Sequence, residues 1–139
     1  MRPGNSTEPD MSTETTERLR EHPDTRLADS QVAVDFEAVA ARLRAEPSAG
    51  EGGHRQQVVY RHGPVTIALF TFDRFTHLPE HAARGVVSMQ VLRGRLKITA
   101  EGRVYQMGPG QMLTLAPEVR HAVAAEEESD LLVTICLTK

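Results

Sequence analysis

Six histidines and one cysteine are the side chains here best suited to ligate a metal, attack an electrophile or exchange protons near neutral pH. Their settings differ. His22, His54 and His62 fall in a polar N-terminal stretch or beside turns and read as surface residues. His77 and His81 flank Leu78-Pro79-Glu80; in an extended chain that separation is about 13 Å, too far to share an ion unless the chain turns there. His121 opens a run of small apolar residues. Cys136 lies inside the apolar run from Leu131 to Leu137, the setting of a buried, inert thiol rather than a nucleophile. Glu80 and Glu118 are oxygen donors close in sequence to His81 and His121, although each also reads as a solvated loop residue. Other chemistry falls away: no nucleophile elbow presents a serine. Gly108-Pro109-Gly110 is a turn and not a phosphate loop, because neither a helix nor a lysine follows it. Glu126-Glu127-Glu128 is a solvated acidic loop.

The elements that must position these groups are short. From Gln56 onward the chain reads as β runs broken by glycine or proline: Gln56 to Tyr60, Val65 to Phe72, Val86 to Leu92, Arg95 to Ala100, Arg103 to Met107, Met112 to Leu115, His121 to Ala125 and Leu131 to Leu137. Glu101-Gly102 marks a tight hairpin and Gly108-Pro109-Gly110 the next reversal, so consecutive strands are expected to pair antiparallel. Before them, Val32, Phe36, Val39 and Leu43 recur at helical spacing, Asp35 offers an N-cap, and Pro47 with Gly50, Gly52 and Gly53 ends the pattern. Residues 1–30 are expected to form a disordered tail, since they carry too few large apolar side chains to offset the entropy of ordering. Met11 offers a second start within it. The division is thus a tail over 1–30, a short helix with a Gly-rich linker over 31–54, and a β domain over 55–139.

Composition bounds the rest. A chain of 139 residues, 40% apolar and 25% charged, suits one globular domain. Lysine plus arginine number 16 against 19 aspartate plus glutamate, a formal charge of −3, so no basic stripe points to nucleic acid or an anionic membrane. The longest apolar runs fall far short of the ~20 residues that span a bilayer. One cysteine permits neither an internal disulfide nor a thiolate zinc cluster, which together with the lack of an apolar leader suggests a cytoplasmic protein.

Two stretches carry a resemblance. His81 to Gly94, with its Val91-Leu92-Arg93-Gly94 turn, and Gly110 to His121 resemble the two signature motifs of the cupin superfamily in order and spacing. The resemblance covers about residues 56–139 and implies an all-β fold, an antiparallel jelly-roll β-barrel that is commonly homodimeric. It also implies a metal site: in metal-binding members two histidines and a glutamate of the first motif join the histidine of the second, a set suited to iron, manganese, nickel or zinc. Here the second histidine slot is Ala83 and the glutamate slot is Val87, neither of which has a lone pair to donate. In the second motif Ala116 and Glu118 replace the family's proline and glycine. His81 and His121 remain as an incomplete metal set.

Two readings of function follow. The first is a barrel that binds a small organic molecule in a pocket lined by Val87 and Met89, with His81 and His121 as polar anchors. Strand alternation points Val87, Met89 and Val91 to one face and Gln90 to the other, so Gln90 joins that pocket only if a bulge reverses the parity. The alternative is a metal-dependent oxygenase or isomerase in which the two histidines and an unidentified third donor hold a divalent ion. An interaction protein using the outer face of the barrel or the Phe36 helix is a third possibility.

Overall fold

The computed structural model describes residues 29–47 and 53–138. All but the last two residues of the tail expected over 1–30, with Met1, Met11 and His22, and most of the Gly-rich linker lie outside the described residues. The elements are one helix, α1 (Phe36–Arg44), and nine strands. The strands are β1 (His54–His62), β2 (Val65–Phe72), β3 (His77–His81), β4 (Gly85–Arg93), β5 (Leu96–Ala100), β6 (Arg103–Met107), β7 (Met112–Leu115), β8 (His121–Ala125) and β9 (Ser129–Leu137).

All strand pairs are antiparallel and fall into two sheets, β1-β2-β9-β4-β7 and β3-β8-β5-β6. This is a jelly roll of two facing sheets, without a ladder of hydrogen bonds closing it into a barrel. Sequence neighbours pair only at β1–β2 and β5–β6, which corrects the expectation that consecutive strands pair throughout. Gly108-Pro109-Gly110 accordingly carries the chain from one sheet to the other and is not a hairpin. At β5–β6 the two-residue turn has both Glu101 (φ 47°) and Gly102 (φ 83°) in the left-handed region, the geometry that matches strand twist, and it fixes Ala100 opposite Arg103.

The core lies between the sheets. Phe70 and Phe72 from β2, Val87, Met89 and Val91 from β4, Leu96 and Ile98 from β5 are all buried there. A second cluster forms outside the five-stranded sheet, where α1 lays Val39, Ala40 and Leu43 on Val59 and Leu69. Asp35 caps α1, its carboxylate accepting from the Ala38 N–H at 3.2 Å, as its sequence position suggests. Val32, read as part of the helical stripe, instead lies ahead of the helix, which begins at Phe36. Arg44 in the last turn pairs with Asp130 on β9, which locks the helix to the sheet.

β3 is the strand that the sequence pattern hides. Pro79 interrupts its alternation, and the pairing with β8 slips by one residue between Leu78 and His81, so a bulge absorbs Pro79 and Glu80.

Candidate functional site

The β3 bulge matters because it turns both Leu78 and His81 toward the space between the sheets. Leu78 pairs with Val123 and His81 with His121. The two imidazole rings meet with centroids 4.2 Å apart at an interplanar angle of 60°. His121 is only 3% exposed, whereas His81 is open to solvent.

The backbone fixes the tautomer of both rings. His81 Nδ1 lies 2.8 Å from the Pro79 carbonyl and His121 Nδ1 3.0 Å from the Val119 carbonyl. A carbonyl only accepts, so each Nδ1 carries the proton and donates it. Each neutral ring is left with its lone pair on Nε2. Burial holds His121 below the ordinary imidazole value; the Val119 carbonyl opposes this, and the neighbouring His81 adds to it. At neutral pH His121 is therefore uncharged and its Nε2 is an acceptor.

The same inward-facing row continues across the sheet, from His121 to Ala100 on β5 and Arg103 on β6. Arg103 is exposed. Its place in the same cross-strand row as the histidines, beyond Ala100, was not legible in the motifs, but the two-residue turn at Glu101-Gly102 sets the register that puts it there. One row deeper, Val123, Ile98 and Tyr105 lie side by side. The rim is tied together where the Glu118 N–H donates to the Ala83 carbonyl at 2.8 Å, and Ala83 and Val119 pack on the core beneath.

Val87 and Met89 point inward but are 3% and 2% exposed, a packed floor and not the wall of an open chamber. Gln90 is a correction: no bulge precedes it on β4, and it opposes Leu132 and Met112 on the outer face, away from the interior. Cys136 is also corrected. It is half-buried on the outer face opposite Val86, not sealed in the core. His54, read as a surface residue, stacks on Phe70 and lies tilted against Phe72, with ring centroids 5.9 and 6.0 Å away, and burial lowers its pKa against the hydrogen bond to Gln56. His62 is exposed and stacks on Tyr60. His77 pairs with Ala124, so strand parity sets it on the outer face.

These donors do not fit the metal centre that cupin motifs imply. A retained divalent ion needs three or more protein ligands, and among the described residues no group of three His, Cys, Asp or Glu converges. Ala83 and Val87 offer none, Glu80 faces Arg120 at 3.6 Å, and Glu118 is exposed. Among the described residues the groove of note lies elsewhere, about 400 Å³ on the outside of the five-stranded sheet, lined by Val32, Val34, Phe36, Val59, Tyr60 and Ile67 with Ser30.

Comparison with known proteins agrees with the fold. The jelly roll superposes on a cupin superfamily protein from Desulfitobacterium hafniense with a TM-score of 0.64 at 18% identity, covering 81% of this chain and 96% of that one. An RmlC-like cupin from Shewanella frigidimarina gives 0.66 at 16%, covering 81% and 96%. KdgF from a Halomonas species gives 0.59 at 19%, covering 64% and 84%. No curated protein matches the sequence. No helix among the described residues is long and apolar enough to cross a membrane. The sequence signature of the AraC-like ligand binding domain matches residues 62–135, more than half of the chain. With two sheets of cupin topology and paired histidines at their rim, this chain belongs to the AraC-like ligand binding domain family, on a small cupin fold.

Proposed function

We propose that the protein binds a small organic molecule at the open end of the jelly roll, where His81 and His121 accept hydrogen bonds from it. The observation that carries this reading is the shared tautomer: both Nδ1 protons are committed to backbone carbonyls, leaving two Nε2 acceptors at rings 4.2 Å apart. Such a pair suits ligand hydroxyl or amide N–H groups. Arg103, exposed in the same row, can take an acceptor or an anionic group of the same molecule. The apolar floor of Val87 and Met89 excludes water from the deeper side. The family's name, a ligand binding domain, supports a binding role, and the donor set does not favour a metal-dependent oxygenase or isomerase. A cytoplasmic setting fits the single Cys136 thiol.

The test is a thermal-shift screen of small polyols, sugars and hydroxy acids against the unmodified chain and its His81→Ala and His121→Ala variants. A ligand at a hundred times its Kd stabilises the folded state by about 2.7 kcal/mol. The proposal expects at least one compound to raise the unfolding temperature of the unmodified chain and to lose that effect in both variants. A compound that stabilises all three equally binds elsewhere and overturns the assignment of the histidines.

A further inference from the structure

The edge strands β1 and β3 each carry a bulge, and both bulges re-aim a polar side chain. On β3 the slip between Leu78 and His81 turns His81 inward. On β1 Val59 is the extra residue, between Val58, which pairs with Ala68, and Tyr60, which pairs with Ile67. Val58 packs in the core between the sheets, whereas Val59 packs outside them against α1, and Tyr60 lines the outer groove. Strict alternation from Val58 would have put Tyr60 inside and Arg61 outside. The bulge reverses that parity and sets Arg61 on the inward side, opposite Thr66.

Arg61 therefore ends the row Arg61, Thr66, Ile135, Val87, Leu115, in which Ile135, Val87 and Leu115 pack in the core. Val87 is part of the floor of the open end, so the row beneath the histidines carries a guanidinium at its β1 end. The β1 and β3 edges lie side by side, since the Asp73 N–H, on the way into β3, donates to the Gly53 carbonyl at the start of β1. Facing sheets pack about 10 Å apart, so Arg61 and His81 flank one opening. Arg103 stands at the far edge, on β6. The two arginines differ in setting. Arg103 is exposed, whereas Arg61 is half-buried and its Nε donates to Thr66 Oγ1 at 3.4 Å. A partly buried charge is screened less by salt and water, and the planar guanidinium fork matches a carboxylate.

We infer that Arg61 selects a polyhydroxy acid, whose hydroxyls donate to Nε2 of His81 and His121 while its carboxylate meets the Arg61 fork. This rests on the histidine rim being a ligand site and adds the charge of what binds there. The division follows from the tautomers: an imidazole whose Nδ1 proton is committed to a carbonyl presents a carboxylate with a lone pair only. The acid group must then be taken by a cation, and Arg61 is the half-buried one that the β1 bulge brings inward.

The test is isothermal titration of the full chain with matched pairs, gluconate against sorbitol and tartrate against threitol, at about 0.15 M salt to screen non-specific anion binding. In each pair a carboxylate stands where the polyol has a hydroxymethyl group. Hydrogen bonds to a charged group predict that at least one acid binds about ten- to a hundredfold more tightly than its polyol. Arg61→Met should bring that acid to the affinity of the polyol, Arg61→Lys should retain part of the preference, and Lys97→Met, exposed on the outer face of β5, should retain all of it. Matching circular dichroism spectra establish that the variants are folded. An acid preference that survives Arg61→Met, or that falls only in Arg103→Met, overturns the inference, as does the failure of either acid to bind. A polyol that binds as tightly as its acid and is lost in His81→Ala overturns it too, while leaving the histidine site standing.

Discussion

His121 should resist protonation as the solution is acidified, because it is buried and faces a second imidazole. With both rings charged at the 4.2 Å centroid distance, Coulomb repulsion is about 1 kcal/mol at the dielectric of water and about 4 kcal/mol at an effective value of 20. His81 is exposed, so solvent screening puts the value near the lower limit, about 1 kcal/mol. Burial acts on His121 in the same direction and more strongly, with the Val119 carbonyl opposing. His121 therefore stays neutral to a lower pH than a free imidazole. Long-range proton–nitrogen NMR spectra through a pH series read both the tautomer and the midpoint. The expected result is Nδ1–H on both rings and a His121 midpoint below the ordinary value. His81→Ala should raise that midpoint without restoring it fully, because burial remains. An Nε2–H tautomer at His121, or a midpoint unmoved by His81→Ala, would refute the geometric reasoning.

Other outcomes follow from the same contacts. His54 and His121 both have lowered values in the folded state, so the unfolded chain takes up protons first. Stability should be full above the unfolded value of about 6.5 and decline as pH falls below it, seen as a falling urea midpoint. Burial raises the Asp130 carboxyl against the pull of Arg44 and then Arg93. Arg44→Met, which strands that carboxylate, should cost about 2–3 kcal/mol, below the 3–5 of a fully buried pair because the Arg44 side chain is 24% exposed. Protonation of Asp130 relieves the cost, so the deficit should shrink as pH drops through the carboxylate range. Glu118 has φ 69°, where a side chain costs about 1–2 kcal/mol and glycine loses about 0.5–1 in chain entropy. Glu118→Gly should thus gain about 0.5–1 kcal/mol in chemical denaturation. Gly94, at φ 87°, has the Glu128 carbonyl and the Ser129 backbone where a Cβ would stand; Gly94→Ala should destabilise by more than 2 kcal/mol, comparable to overpacked cores.

Local signals were legible and long-range ones were not. The Asp35 cap and the Val39–Leu43 spacing lie within one turn of each other, so α1 could be read from residues alone. Likewise Gly94 marks a backbone approach, and Glu118 takes up the left-handed geometry for which the family's second motif has a glycine. Yet strand neighbours such as β2–β9 and β4–β7 are set by packing between distant segments, which no local pattern encodes. β3 was missed because Pro79 breaks the two-residue alternation and the bulge that repairs it exists only against β8. Cys136 was misread because an unbroken apolar run does not say which of its residues face inward. His54 was misread because the rings it packs on, Phe70 and Phe72, are contributed by another strand.

Elemental analysis by mass spectrometry tests the central claim most directly, on tag-free protein loaded with iron, manganese, nickel or zinc and washed, beside His81→Ala and His121→Ala treated identically. The account predicts metal well below one ion per chain, at a level that neither substitution changes, because two imidazoles with Ala83 and Val87 beside them are an incomplete set. One ion per chain, lost in both variants, would contradict it and make the histidine pair a metal centre.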